Sequence, residues 1–214
     1  MTTARSTPAR TSRERTTTSR PGTERPAAIR RAMRALVAEH GFHGASMGAV
    51  AKAAGVAAGT AYVHYASKDE LVLAAYLEVK RELGQAAAAR VDPDATPEVR
   101  FRQLWFGIHA HLDAEPDRAR FLVQVDTSPY ADRAHALGMA VADDPIIDAA
   151  AAPDLVALLA PLPLEVLYDL GLAPAVRLVA SGFPITDDQL DGIAAACWRA
   201  VTRHDEARPQ DRPS

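Results

Sequence analysis

Apolar residues recur at helical spacing along most of the chain. Ile29, Met33, Leu36 and Val37 fall at i, i+4, i+7 and i+8, which predicts an amphipathic helix over residues 26–40. Pro26 suits its first turn and Gly41 its end, and Arg30, Arg31 and Arg34 are expected away from the apolar stripe. Ser46 is placed to cap a short second helix, on which Val50, Ala51 and Ala54 recur at the same spacing. Gly55 ends it, because the residue after a helix often takes a left-handed conformation that only glycine adopts without strain. A third short helix then spans residues 57–64. Ser67 followed by Glu70 reads as a capping box, so a longer helix starts there and continues to about residue 88. Asp69 and Glu70 lie favourably near its positive end.

Residues 91–97 hold two prolines and two aspartates and read as a loop. Phe101, Leu104, Trp105, Ile108 and Leu112 make a broad apolar stripe on the next helix, and Pro116 opens another that carries Phe121, Leu122 and Val125. Further helices are expected over 131–142, 149–159, 163–181 and 186–204. No alternating pattern of a strand competes, so the fold class is all-α.

The order helix, glycine turn, second short helix, capped third start is that of a helix-turn-helix, whose second helix enters the major groove. Within residues 41–71 stand Gly-Phe, Ala-Val-Ala, Ala-Gly-Val, Gly-Thr-x-Tyr-x-His-Tyr and Ser-Lys-Asp-Glu-Leu. This run resembles the DNA-binding domain of the TetR family of transcriptional regulators. A plain alanine-rich hairpin would not account for Tyr62, His64 and Lys68 after a Gly-Thr pair. Two positions depart from the family pattern. Ala57 stands where Ser or Thr usually caps the recognition helix, a loss of roughly 1 kcal/mol, and Ala61 where a larger apolar residue is usual.

The resemblance implies a three-helix helix-turn-helix domain over 26–71, with the motif at 46–65, and a larger helical effector-binding and dimerisation domain over 72–204. It places Ala58, Gly59, Thr60, Tyr62 and His64 on or near the DNA face. Gly59 permits close approach, Thr60 and Tyr62 offer hydroxyls, and His64 either donates to a phosphate or closes the helix end. Val63 is placed to touch a thymine methyl group. Lys68 starts the next helix, where its ammonium and the free backbone amides both favour phosphate, and Ser46 and Met47 offer the same kind of contact from the preceding helix. Tyr65 and Val50 read as core. With few long polar side chains on the recognition helix, phosphate positioning and DNA shape are expected to carry much of the specificity.

Charge sharpens this division. The net charge of -3 conceals 14 Lys and Arg against 7 Asp and Glu in residues 1–91, and 10 against 20 in residues 92–214. A basic first part beside an acidic second part suggests that only the first meets a polyanion. Residues 1–25 contain Arg5, Arg10, Arg13, Arg15, Arg20 and Arg25 with almost no large apolar side chain, and read as a disordered basic arm. Such an arm either follows phosphates or a minor groove, or makes no contact. Residues 205–214 read as a second disordered tail. At 48% hydrophobic residues the chain can bury a core. Its single cysteine, Cys197, excludes an internal disulfide, and no apolar run reaches membrane length or the form of a secretion signal, so a cytoplasmic location is expected.

The last two predicted helices resemble the dimerisation pair of the family. Leu164, Leu167, Leu170, Val176, Leu178 and Val179 on one, with Leu190, Ile193, Ala194, Cys197, Trp198 and Val201 on the other, would pack against a second copy as a four-helix bundle. Two readers about one DNA turn apart then recognise a palindrome. The resemblance also implies a small-molecule effector pocket among the middle helices, for which Trp105, His109, Phe121, Gln124, Tyr130 and Met139 are the candidate lining residues. Mostly apolar lining suits a hydrophobic molecule.

Enzymatic readings find little support. His109 and His111 are two apart, which sends them to different helix faces; His109 with Asp113 has the better spacing but lacks a third ligand, so no metal is implied. Cys197 lies in an apolar helix without an evident base, and there is no glycine-rich phosphate loop. No catalytic residue and no cofactor are assigned. The reading is a ligand-responsive regulator, most simply a repressor that binds double-stranded operator DNA as a homodimer and is released by a small effector. The alternative is a helical small-molecule-binding or catalytic protein whose N-terminal domain does not bind DNA.

Overall fold

Gly41 breaks the first helix as its position suggests. The computed structural model describes residues 21–141 and 145–203, and in it α1 (Pro21–Gly44) is interrupted where Gly41 takes φ 66°, a region that costs other residues dearly. The helix reaches back five residues beyond the expected start at Pro26. Pro26 has no N–H to give the carbonyl four residues earlier, but so near an open end it removes only one bond. The proposed basic arm falls, up to residue 20, outside the described residues, as does the C-terminal tail.

The next elements follow from local chemistry. Ser46 caps α2 (Met47–Ala53), its hydroxyl accepting from the Ala49 N–H at 3.2 Å. Gly55 at φ 68° then lets its own N–H reach the Lys52 carbonyl and the Val56 N–H reach that of Ala51, so two end carbonyls of α2 are satisfied. Recognition-helix candidate α3 (Ala58–His64) starts at Ala57 with no side-chain cap, and Tyr65 leaves it in an extended conformation. In α4 (Lys68–Ala88) the Ser67 hydroxyl accepts from the Glu70 N–H at 3.1 Å. The Glu70 carboxylate reaches back one residue further than a capping box requires, accepting from the Ala66 N–H at 2.8 Å.

The remaining described elements are also helices. They are α5 (Pro97–Asp113), α6 (Pro116–Asp126), α7 (Ala131–Met139), α8 (Pro145–Ala150), α9 (Pro153–Val156), α10 (Leu164–Gly171), α11 (Ala173–Ser181) and α12 (Asp187–Val201). Two expected long helices are each divided. The segment 149–159 gives the end of α8 and then α9, because Pro153 cannot continue a hydrogen-bonded helix. The segment 163–181 splits at Leu172, where Pro174 has no N–H for the Leu170 carbonyl and its ring crowds that group. The helix expected over 131–142 stops at Met139. Thr186 and Gln189 form a reciprocal capping box that fixes the start of α12.

One core runs the length of these helices. In the first four it contains Ile29, Met33, Val37, Val50, Ala61, Leu71 and Val72; further along it contains Trp105, Ile108, Leu112, Phe121 and Val125. Helices α4 and α5 approach closely at Gly107, where an added Cβ would lie 2.8 Å from the Ala87 Cα. Helix α6 packs on both α1 and α11 and so joins the two ends of the core.

Candidate nucleic-acid interface

A helix can serve as a reader only if one face is anchored and the other is free. On α3 the anchored face is Ala61, fully buried, with Thr60 and His64 half-buried at its flanks. The free face consists of Ala58, Gly59, Tyr62 and Val63, with Tyr62 55% and Val63 81% exposed. These four lie at i, i+1, i+4 and i+5, one side of two helical turns.

Polar contacts hold the end of this helix. The Tyr65 ring is buried; its hydroxyl accepts from Arg30 Nη1 at 2.6 Å and donates to the Pro26 carbonyl at 3.4 Å. Arg30 Nη2 also donates to Glu78 Oε1 at 2.5 Å, while Arg34 Nη1 donates to Glu78 Oε2 at 2.6 Å. Glu78 thus ties α4 to α1, and through Arg30 to the residue that ends α3. The bond to Glu78 raises Arg30 above its ordinary pKa, outweighing burial, which acts to lower it; the bond to Tyr65 raises it further. Removing one partner from such a buried group strands a charge away from water.

Sequence reasoning missed this cluster. Arg34 was expected away from the apolar stripe but is only 5% exposed. The signal was present, because positions 30, 34 and 37 follow the same i, i+4, i+7 spacing as the stripe itself, and Glu78 interrupts an apolar run on α4.

Two candidate DNA contacts are differently employed. Met47 is buried, so its side chain belongs to the core and only its backbone amide remains at the helix start. The Lys68 ammonium donates to the Phe42 carbonyl, tying the start of α4 to the end of α1 instead of standing free for phosphate. Ser46 is exposed, with its hydroxyl engaged as the α2 cap. Phe42 is partly buried against the core, and its ring centroid lies 5.0 Å from that of Tyr130.

The six candidate effector residues do not line one cavity. Trp105 and Phe121 are fully buried packing residues. His109 stacks on Trp105, with ring centroids 5.9 Å apart and planes 7° from parallel, and lines a cleft of about 180 Å³ with Asp113, Arg120, Leu178 and Phe183. Gln124 and Met139 are exposed. Tyr130 instead sits where the C-terminal helices touch the reader, its hydroxyl donating to Asp69 Oδ1 at 3.0 Å. Partial burial, then the Asp69 carboxylate, pushes its phenol up from its ordinary pKa. Aromatic side chains at core spacing filled the core, which the periodicity alone does not distinguish from pocket lining. Cys197 is buried, and burial pushes its thiol up, away from the thiolate a nucleophile requires.

Comparisons with known proteins fit this geometry. The family described as bacterial regulatory proteins, tetR family, matches residues 29–75, and the one described as tetracyclin repressor-like, C-terminal domain, matches residues 97–202. A TetR-family transcriptional regulator from Haemophilus influenzae Rd is 25% identical, with a TM-score of 0.72 over 86% of this chain and 100% of that one. A TetR-family transcription regulator from Marinobacter aquaeolei VT8 is 24% identical and shares the fold, with a TM-score of 0.71 over 85% and 97%. A comparison with curated proteins gives no match. These relatives are transcription regulators, not enzymes. With one family description matching the helix-turn-helix segment and a second matching the helices that follow, the chain belongs to the TetR family of transcriptional regulators.

Proposed function

We propose that this protein is a ligand-responsive repressor that binds a palindromic operator as a homodimer and leaves it when a small hydrophobic effector binds. The observation that carries the reading is the free face of α3, a helix packed on α2 and closed by Tyr65, whose hydroxyl meets the charged cluster that ties α1 to α4, while Tyr62 and Val63 stand out into solvent. Residues 26–71 form the reader in this proposal, and residues 72–204 the effector and dimerisation part. Tyr62 offers its hydroxyl, Ala58 and Gly59 permit close approach, and Thr60, His64 and the Ser46 end of α2 meet the flanking phosphates.

Unpartnered apolar surface near the C-terminus supports the dimer. Leu164, Val166, Tyr168 and Leu170 on α10 and Phe183 after α11 are all exposed large side chains. Val176, Val179, Ala194, Cys197 and Val201, also expected at the dimer contact, are buried within the single chain. In this reading the second copy packs around α10, whose exposed apolar residues lie on two of its sides, with the buried residues of α11 and α12 behind it.

The effector reading takes the cleft beside His109 as the place of entry, with Leu178, Val179 and Phe183 as its apolar side and Asp113 and Arg120 as its charged one. Drug-sized ligands occupy about 300–1,000 Å³, more than the cleft's roughly 180 Å³. Binding there favours a conformation in which α5, α6 and α11 stand further apart, and α6 also packs on α1 of the reader. The protein acts in the cytoplasm, where its DNA is; among the described residues no helix is long and apolar enough to cross a membrane.

Selection of the sequences that the full-length protein retains from random duplex DNA tests the reading. A retained palindrome, bound less tightly as salt rises, is the expected outcome. Equal retention of all sequences at moderate salt refutes the proposal. Tyr62→Ala weakens operator binding by roughly ten-fold, the scale of a lost base or phosphate contact, and leaves the oligomeric state unchanged in sedimentation. Loss of the dimer would place Tyr62 in the core instead.

A further inference from the structure

The chemistry of α3 restricts which bases it can read directly. In the major groove guanine is read by paired donors from Arg or Lys, adenine by the amides of Asn or Gln, and cytosine by an acidic acceptor; thymine presents a C5-methyl group to apolar side chains. Helix α3 has the sequence AGTAYVH and contains none of Arg, Lys, Asn, Gln, Asp or Glu. Thr60 and His64 are half-buried, and each offers single hydrogen bonds rather than a paired pattern. Tyr62 on the exposed face adds one hydroxyl, again a single hydrogen bond, so of the four direct codes only the methyl contact has a fully matching side chain there.

Val63 is that side chain. At 81% exposure it is freer than any other exposed large hydrophobic among the described residues, Phe183 at 74% being next. Folding gives it almost no packing. Its neighbours one turn back, Gly59 and Ala58, are small, and a Cβ added at Gly59 would meet nothing within 4 Å. The isopropyl group therefore stands beside a shallow part of the helix that lets the backbone approach the groove floor.

We infer that Val63 is a base-reading residue of this protein and that it reads the C5-methyl of a thymine in each operator half-site. The inference rests on the DNA-reading function proposed above and names its specificity. Guanine and adenine edges are left without paired donors from α3. Burying one methyl group against Val63 sets the discrimination at a few-fold per half-site.

Thymine-to-deoxyuridine exchange tests it, since the two bases pair alike and differ only in the methyl group. The full-length protein is titrated against its selected operator with each thymine replaced in turn. One position per half-site is expected to weaken binding about four-fold, and exchange in both half-sites about 15-fold; other thymines change it less than about two-fold. Val63→Ala, a change at an exposed position that leaves folding intact, binds the thymine and deoxyuridine operators equally at that position. If no thymine is sensitive, or if Val63→Ala keeps the discrimination, the inference is overturned while sequence-selective binding stands. If no sequence is selected at all, this inference and the repressor reading both fail.

Discussion

Helices α3 and α10 are both short, and both present large apolar side chains to solvent, yet their surroundings differ. Helix α3 buries Ala61, is closed by a buried Tyr65, and exposes only Tyr62 and Val63 beside two small residues. Helix α10 buries only Gly171 and leaves Leu164, Val166, Tyr168 and Leu170 exposed over its length. The first arrangement is a rigid mount carrying two isolated side chains. The second is a helix with large apolar side chains exposed on two sides, Leu164 with Tyr168 on one and Val166 with Leu170 on the other, more apolar surface than a monomer usually leaves uncovered. Exposure alone does not separate a DNA contact from a dimer contact; the anchoring behind the helix and the amount of apolar surface it exposes do.

Removing the anchor should have the largest effect. Glu78→Ala leaves Arg34 buried, and Arg30 partly buried, without their carboxylate, and it is expected to cost about 3–5 kcal/mol in chemical denaturation of the full chain. A loss under about 1 kcal/mol would show that α3 is held by packing alone, and the contrast with α10 would then weaken.

The opposite side of the comparison is tested by Leu164→Asp with Leu170→Asp. Both positions are exposed in the single chain, so its fold should survive as judged by circular dichroism. Placing charges at the centre of an apolar interface should weaken dimerisation by about 100-fold, or roughly 2.7 kcal/mol. Sedimentation equilibrium measures this. An unchanged dimer would move the interface away from α10.

The smallest effect concerns the open start of α3. Ala57→Ser supplies the missing cap and should raise stability by about 1 kcal/mol. No gain in the denaturation midpoint would mean that the first amides of α3 are already satisfied in another way.

Features decided within a few residues were legible in the sequence. The Ser46 and Ser67 caps, the glycine turns at 41 and 55, and the inward placement of Val50 and Tyr65 all appear as read. The helix-turn-helix order, and the family to which it points, belong to this class. The long helices were less legible where proline divided them, because apolar spacing continues through Pro153 and Pro174 although the hydrogen bonds cannot. Candidate effector residues were least legible. Periodicity identifies the inward face of a helix but does not say whether that face meets a neighbour or a cavity.

Composition and local order by themselves determined an all-helical chain with a capped reader whose exposed face has almost no polar reach. Tertiary structure alone decided how the inward charges pair and which distant elements touch. Glu78 meets Arg34 from 44 residues away, and Tyr130 meets Asp69 from 61 residues away. It also turned Met47 inward and Lys68 towards the Phe42 carbonyl. The physical reason is range. A cap or a turn is satisfied by hydrogen bonds within one helical turn, whereas a buried ion pair depends on the packing of whole helices, which spacing along the chain does not encode.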